Sequence, residues 1–401
     1  MEINTDSNKI EEVLTRGVEK IYPSKDLLKT NLKSRKIRIY QGFDPSKPNL
    51  HLGNLVGILK LKEFQELGHE VIFLIGDFTG MIGDPTEKLS VRKKLTREEV
   101  LENAKSYKEQ VGRFLNFSGG NPAKIMFNSY WLDKISFKDL IEITSNFTVQ
   151  RILERDFFQE RIKKEKPIFL HEFLYPVAQA VDSVKMDVDL EIGGSDQTFN
   201  MLVGRDLVKT LKNKEKFVLS TKLLIDKEGK KVGKTTGGAV FLNFPPIEMF
   251  GAIMAFSDEI IISGFEILTF LPFSQIKKYE KVLKEKKINP KELKKILALE
   301  IVKLNYGEEK AKEAEKEFEK VFKEKKLPTE IPGIGIKEKS LNILDLLIKT
   351  GLTSSKSEAK RLILQKGVEI DGILKSDWRE IIAIKKGMAI KVGKRKFAKL
   401  I

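Results

Sequence analysis

A chain of 401 residues exceeds one typical domain, and its 41% hydrophobic content is enough to build a packed core. No cysteine is present and the three histidines, His51, His69 and His171, are scattered, which excludes a disulfide framework and argues against a structural metal site. The formal net charge of +16 points to a polyanionic partner, and residues 341–401 hold 14 Lys or Arg against six Asp or Glu, half of that excess.

Residues 1–35 read as a helical lead-in with a basic side (Lys25, Lys29, Lys33, Arg35). Ile37-Arg38-Ile39-Tyr40 has the character of a short strand, broken by the turn residues Gly42-Phe43-Asp44-Pro45. Leu55, Ile58, Leu59 and Phe64 then recur close to every 3.6 residues in a helix that stops at Gly68. Val71-Ile72-Phe73-Leu74-Ile75 follows as a strand buried on both faces. Strand, crossover helix and strand make a right-handed parallel unit, with ligands at the carboxyl ends of its strands, where Tyr40, His51 and Asp84 would gather.

Further strands are expected at 124–127, 186–192 and 217–219. Between them, residues 130–165 form a helical insertion containing Trp131, Leu132, Phe137, Leu140, Ile141, Ile143 and Phe147. From 245 to about 322 the pattern is helical throughout, and the Lys-Glu run 308–323 reads as a solvated helix face. Pro328, Pro332, Gly333 and Gly335 mark a linker. After it come a helix over 341–350, a second helix capped by Ser355 and Glu358, and short strands at 368–370, 381–384 and 388–392. No apolar run approaches the ~20 residues of a membrane span, and the first residues lack the parts of a signal peptide. A soluble cytoplasmic protein without membrane contact is the expectation.

Six motifs stand in order: Tyr40-Gln41-Gly42-Phe43-Asp44-Pro45, His51-Leu52-Gly53-Asn54, Ile82-Gly83-Asp84-Pro85, Tyr175…Gln179…Asp182, Gly193-Gly194-Ser195-Asp196-Gln197 and Lys231-Val232-Gly233-Lys234-Thr235. Over nearly the whole chain they resemble the bacterial tyrosyl-tRNA synthetases, within the class I aminoacyl-tRNA synthetases. The resemblance implies an α/β fold: a Rossmann-like parallel-sheet catalytic domain over 1–224, whose 130–165 insertion builds a homodimer interface. A helical anticodon-side domain with a mobile lysine loop (225–326), a linker (327–340) and a small α+β RNA-binding domain of the ribosomal S-four type (341–401) would follow. On periodicity alone, the insertion fits equally well an ordinary amphipathic helix packed on its own sheet.

Amino-acid activation joins a carboxylate to the α-phosphorus of ATP and expels pyrophosphate. It needs two anionic reactants held in line and charge neutralised on the phosphates, rather than a protein nucleophile. His51 and Gly53 sit at a helix amino end, where an anion is favoured. By resemblance, His51 and Asn54 act on the reacting phosphate and ribose; the family usually has a second His in place of Asn54, and some relatives have Cys in place of Gln41. Lys231, Lys234 and Thr235 resemble the mobile Lys-Met-Ser-Lys-Ser loop, and Lys88 and Arg92 fall where the family has a second cationic flap. Gly42, Asp44, Ser46, Gly194 and Asp196 are implied at the ATP site.

Tyr40 and Asp182 align with the pair that bonds the substrate phenol. Tyr175, Gln179 and Asp84 align with residues around its ammonium, and Gln197 with the region of its carboxylate. Tyr175, Gln179 and Asp182, at i, i+4 and i+7, share one helix face. A pocket built to satisfy a hydroxyl rejects the analogue lacking it by orders of magnitude, an effect for which this family is itself the standard example. Lys356, Lys360 and Arg361 are suited to tRNA phosphates. The implied ligands are L-tyrosine, ATP as its magnesium complex, and tRNA(Tyr), with no tightly bound cofactor and no metal site in the protein. A tryptophan-specific relative is the nearest alternative, opposed by Tyr40 with Asp182; a non-catalytic RNA-binding protein on the same fold is the more distant one.

Overall fold

The computed structural model describes residues 2–84, 95–225, 232, 239–323, 333–336, 338–353, 355–393 and 396–401. They fall into two compact units, Met1–Phe244 with Ala252–Gly307, and Pro245–Gly251 with Glu308–Ile401.

The first unit is built on a six-stranded sheet: β1 (Val18–Tyr22), β2 (Arg38–Phe43), β3 (Glu70–Ile75), β4 (Lys124–Phe127), β5 (Leu190–Gly194) and β6 (Phe217–Thr221). The strands lie in the order β1-β6-β5-β2-β3-β4, all parallel except β1, which runs antiparallel to β6 at the edge. From β2 the chain winds outward to β3 and β4, then returns to the other side of β2 for β5 and β6. The direction of winding reverses between β2 and β5, and a reversal of this kind leaves a crevice at the carboxyl ends of the two strands.

The expected helical lead-in is interrupted by β1, and the first strand continues through Gly42 to Phe43 instead of breaking at Gly42. The 186–192 strand is β5, begun later at Leu190, because Met186 caps the preceding helix. The Leu52–Glu66 helix buries far more than the apolar stripe that marked it: Lys60 and Glu63 are buried on its other side. They form an ion pair, and Lys60 Nζ donates to the Val13 carbonyl at 2.7 Å. Helices Ile260–Leu268 and Pro290–Tyr306 bury Ile261, Phe265, Leu268, Leu297 and Ile301 within the same unit as the sheet.

In the second unit β7 (Gly333–Ile334), β8 (Ser340–Asn342), β9 (Val368–Ile370), β10 (Ile373–Lys375), β11 (Ile381–Ala383), β12 (Ala389–Val392) and β13 (Lys396–Leu400) form a five-stranded sheet, β10-β9-β12-β13-β7, and a β11-β8 pair. Helices Ile343–Lys349 and Lys356–Leu364 supply Ile343, Leu346, Leu347, Ala359 and Ile363 to a core shared with Val368, Ile390 and Val392. Ser355 caps the second helix, accepting from the Glu358 N–H as the sequence pattern predicts. β7 lies within the stretch that reads as linker, while β8 starts at its last residue and takes up the first two residues expected to be helical, so that helix begins at Ile343.

His69, fully buried beside β3, accepts the Ile37 N–H on Nδ1 at 3.4 Å, and its Nε2 has no partner among the described residues. Burial, helped by the Lys36 charge and opposed by Asp189, pulls its pKa from 6.5 down to about 4. A depressed folded pKa means that the unfolded chain takes up the proton first, so stability is full above pH 6.5 and falls between there and about 4. His69→Gln removes this contribution. Urea midpoints at pH 7 and pH 5 should differ less in the variant, by about 2 kcal/mol in extrapolated stability; an unchanged difference would assign the acid lability to carboxylates instead.

Candidate functional site

The crevice at the carboxyl ends of β2 and β5 is an open cleft. Tyr40, Gly42, Asp44, Ser46, His51, Gly53, Asn54, Asp84, Tyr175, Gln179, Asp182, Gly194, Asp196 and Gln197 all line it. Thus every candidate of the first unit that falls on described residues comes to one place, from five separate stretches of chain. Lys88, Arg92, Lys231, Lys234 and Thr235 lie outside the described residues.

At the mouth, His51 is the residue before the Leu52–Glu66 helix, and its backbone N–H donates to Asn54 Oδ1 at 3.0 Å. Asn54 therefore spends its carbonyl oxygen on the helix cap and keeps its amide nitrogen as a donor. Gly53 is needed for close approach: a Cβ there would lie 2.9 Å from the His51 ring. Backbone bonds from Leu52 N–H to Val240 O (3.0 Å) and Leu242 N–H to Leu50 O (2.8 Å) tie this helix start to the segment that follows the lysine motif.

The helix Leu170–Lys185 carries the next layer. Tyr175 donates its hydroxyl to Asp44 Oδ2 at 2.8 Å, while Thr79 donates to Asp44 Oδ1 at 2.7 Å. One turn on, Gln179 Nε2 donates to Glu191 Oε1 at 2.8 Å, which leaves the Gln179 carbonyl oxygen as an acceptor. Asp84 accepts from Arg155 Nη2 at 2.9 Å and from Gln197 Nε2 at 2.6 Å. Gln197 is itself held by Asn200, whose Nδ2 donates to its carbonyl at 2.9 Å.

The floor is dry. Asp182 is 2% exposed and accepts from Trp131 Nε1 at 2.8 Å and Asn128 Nδ2 at 3.2 Å. Burial holds its pKa well above the usual carboxylate value, with those two donors opposing and the Glu191 charge adding to the rise. Tyr40, 1% exposed, shares a 2.8 Å hydrogen bond with Ser183 Oγ, and burial and then the Glu191 and Asp182 charges push its phenol well above its ordinary value. Tyr175 is raised likewise by burial and by Asp44. A cleft with a polar but water-poor floor and a helix amino end at its mouth can hold a hydroxyl-bearing aromatic deep and an anion shallow.

Asn128, Trp131, Arg155, Ser183, Glu191 and Lys216 also act on the site, although no sequence motif pointed to them. Glu191 had a usable signal: a carboxylate between Leu190 and Ile192 in a strand buried on both faces has to find a partner. In the second unit Lys356 pairs with Asp345 at 2.6 Å, Lys360 Nζ stands 4.0 Å from the Trp378 ring centroid, and Arg361 is exposed beside them.

Residues 32–323 match the model of the family described as tRNA synthetases class I (W and Y). A tyrosine–tRNA ligase of Thermotoga maritima is 44% identical over 390 residues, 97% of this chain and 96% of the relative. One from Aquifex aeolicus is 41% identical, covering 97% of each. Among solved structures, the Archaeoglobus fulgidus tyrosyl-tRNA synthetase complexed with L-tyrosine shares the fold at a TM-score of 0.61 and 21% identity, over 77% of this chain and 99% of that one. A C-terminally truncated mitochondrial tyrosyl-tRNA synthetase of Coccidioides posadasii does so at 0.64 and 22%, over 78% and 92%.

Trp131→Phe keeps an aromatic ring, smaller than the indole, but deletes the donor to Asp182 Oδ1. Losing a donor to a buried carboxylate should lower stability by about 1–3 kcal/mol, measured as a reduced denaturation midpoint. An unchanged midpoint would mean that water or Asn128 alone satisfies Asp182.

Proposed function

The chain belongs to the class I tRNA synthetases of the tryptophan and tyrosine kind, as a ligase that joins tyrosine to tRNA with ATP, and from that premise we propose how its residues divide the work. Tyrosine enters phenol first. Its hydroxyl meets Tyr40 and Asp182 on the floor, and its ammonium meets Asp84, the Gln179 carbonyl oxygen and Tyr175. The observation that carries this reading is that a buried phenol, Tyr40, and a buried carboxylate, Asp182, line one cleft. That floor has a donor and an acceptor for a hydroxyl, and no indole offers both from a single atom.

ATP, brought as its magnesium complex, occupies the mouth. Its ribose lies against Asp196, Gly194 and the Asn54 amide, and its phosphates against His51 and the amide N–H groups at the start of the Leu52–Glu66 helix. The tyrosine carboxylate attacks the α-phosphorus and pyrophosphate leaves from the opposite side. Lys231, Lys234 and Thr235, with Lys88 and Arg92, neutralise the departing charge by resemblance to the family. A ribose hydroxyl of the terminal tRNA adenosine then attacks the acyl carbon, and AMP leaves. Neither step needs a protein nucleophile; each needs the reactants held in line and the phosphate charge offset.

The second unit reads as an RNA-binding module of the ribosomal S-four type, with Lys356, Lys360 and Arg361 facing tRNA phosphates; the positive charge of residues 341–401 supports this. No helix among the described residues is long and apolar enough to cross a membrane, and a cytoplasmic site of action fits protein synthesis. A homodimer is proposed from the insertion: helix Phe137–Thr144 buries no residue, and Phe137 and Ile141, one turn apart, are 79% and 55% exposed.

Tyrosine-dependent exchange of labelled pyrophosphate into ATP should be rapid, and exchange with tryptophan should be slower by at least about 100-fold. Equal rates with the two amino acids would overturn the assigned floor. Phe137→Asp with Ile141→Asp should convert a dimer to a monomer in sedimentation; a parent that already sediments as a monomer would reject the interface.

A further inference from the structure

At the cleft floor Glu191 belongs to a buried charge pair to which the division of work above gives no task. Lys216, fully buried at the entry to β6, forms an ion pair with Glu191, 1% exposed on β5. Lys216 Nζ also donates to Ser183 Oγ at 2.8 Å and to the Met201 carbonyl at 3.2 Å. Room for the ammonium comes from Gly204 in the middle of helix Thr198–Lys212: a Cβ there would lie 2.6 Å from Lys216 Nζ and 3.1 Å from Ser183 Oγ. Glycine is unfavourable inside a helix. A buried ion pair is in turn a poor source of stability, because desolvation offsets the attraction and apolar side chains of the same volume would pack as well. Two features unfavourable for folding therefore meet at one point, and their use lies in what the pair touches.

Ser183 Oγ has one proton to give and two lone pairs. Its neighbours are Lys216 Nζ, which can only donate, Tyr40 Oη at 2.8 Å, and Glu191 Oε2 at 3.4 Å. Lys216 fills one lone pair. Either oxygen of the Ser183–Tyr40 bond can be the donor; with the Ser183 proton on Tyr40 Oη, the nearer acceptor, Tyr40 has its own proton to give into the cleft. Resting on the reading of the cleft as a tyrosine site, we propose that Lys216 and Glu191 are positioning residues for specificity. They fix the direction of a hydrogen-bond chain, Lys216 to Ser183 to Tyr40 to the substrate phenol to Asp182. A chain of that polarity demands a ligand group that both accepts and donates, which a phenol does and a phenyl ring does not. Glu191 serves twice, since by accepting Gln179 Nε2 it turns the Gln179 carbonyl toward the substrate ammonium.

The test is the ratio of kcat/KM for tyrosine to that for phenylalanine in pyrophosphate exchange, measured for the parent, Ser183→Ala, and the double variant Lys216→Met with Glu191→Met. The double variant removes both charges together, so neither is left buried alone. Ser183→Ala leaves the ion pair in place and cuts only its link to Tyr40. Both should lower the ratio by about 10–100-fold, mainly through a higher KM for tyrosine, while the KM for ATP stays within about twofold. A parental ratio in Ser183→Ala overturns the relay, whether or not the double variant folds. A parent without tyrosine-dependent exchange overturns the functional reading and the relay together, which keeps the two failures distinguishable.

Discussion

The parallel pairing of β5 with β2 is the constraint on which the rest of the site depends. It aligns Ile39 with Leu190 and Tyr40 with Glu191, residues about 150 positions apart in the chain. Because neighbours in register point to the same face of a sheet, this one pairing puts a phenol beside a carboxylate under helix Leu170–Lys185. The same pairing is where the winding of the sheet reverses, so the loops after β2 and β5 part and leave the cleft open above those two side chains. A slip of one residue would turn Tyr40 and Glu191 to opposite faces and dismantle the floor without changing any residue.

That arrangement sets the stability of the floor against its use. Asp182, Glu191, Lys216 and Ser183 are all buried, and each is retained at a desolvation cost that apolar residues would avoid. What limits the cost is satisfaction: Asp182 has two N–H donors, Glu191 has Gln179 and Lys216, and Lys216 has three acceptors. Such a network is rigid because every rotation breaks a bond that water cannot replace. Rigidity in turn lets a pocket refuse a ligand, since a ligand that leaves Tyr40 unpaired cannot be accommodated by a small shift.

The parts of this picture legible in the sequence were those written in local order. The β2–helix–β3 unit is contiguous and strongly patterned, and the motif residues cluster at turns where chemistry resides in such folds. β1 was not legible: Val18-Glu19-Lys20-Ile21-Tyr22 carries charges in its middle, as an exposed edge strand does, and its partner β6 lies some 200 residues away. Several strands of the second unit, such as β7 and β10, are two or three residues long and too short to show a period. In the site, Ser183 was hidden by its neighbour Asp182 and Lys216 by the abundance of lysine. Whether a lysine is solvated or buried is decided by what packs over it, and here that is Gly204 on helix Thr198–Lys212.

The cleft is graded from floor to mouth, and the grading matches the two kinds of work proposed for it. Tyr40, Asp182 and Glu191 sit on regular elements and are almost without solvent, whereas His51, Asn54, Asp84 and Asp196 are only half-buried and stand at the ends of elements. Hydrogen bonds are stronger and less forgiving in the dry part, so discrimination between amino acids belongs there. Phosphate chemistry cannot be done in such a place, because a polyanion stripped of water has to be matched by several cations at once, and those must also let pyrophosphate leave. In the proposed division that half of the reaction lies at a helix amino end beside solvent, which avoids the desolvation cost. The proposed division also fits the order of events: the floor must be fixed before the substrate arrives, while cations need to act only once the phosphates are in position.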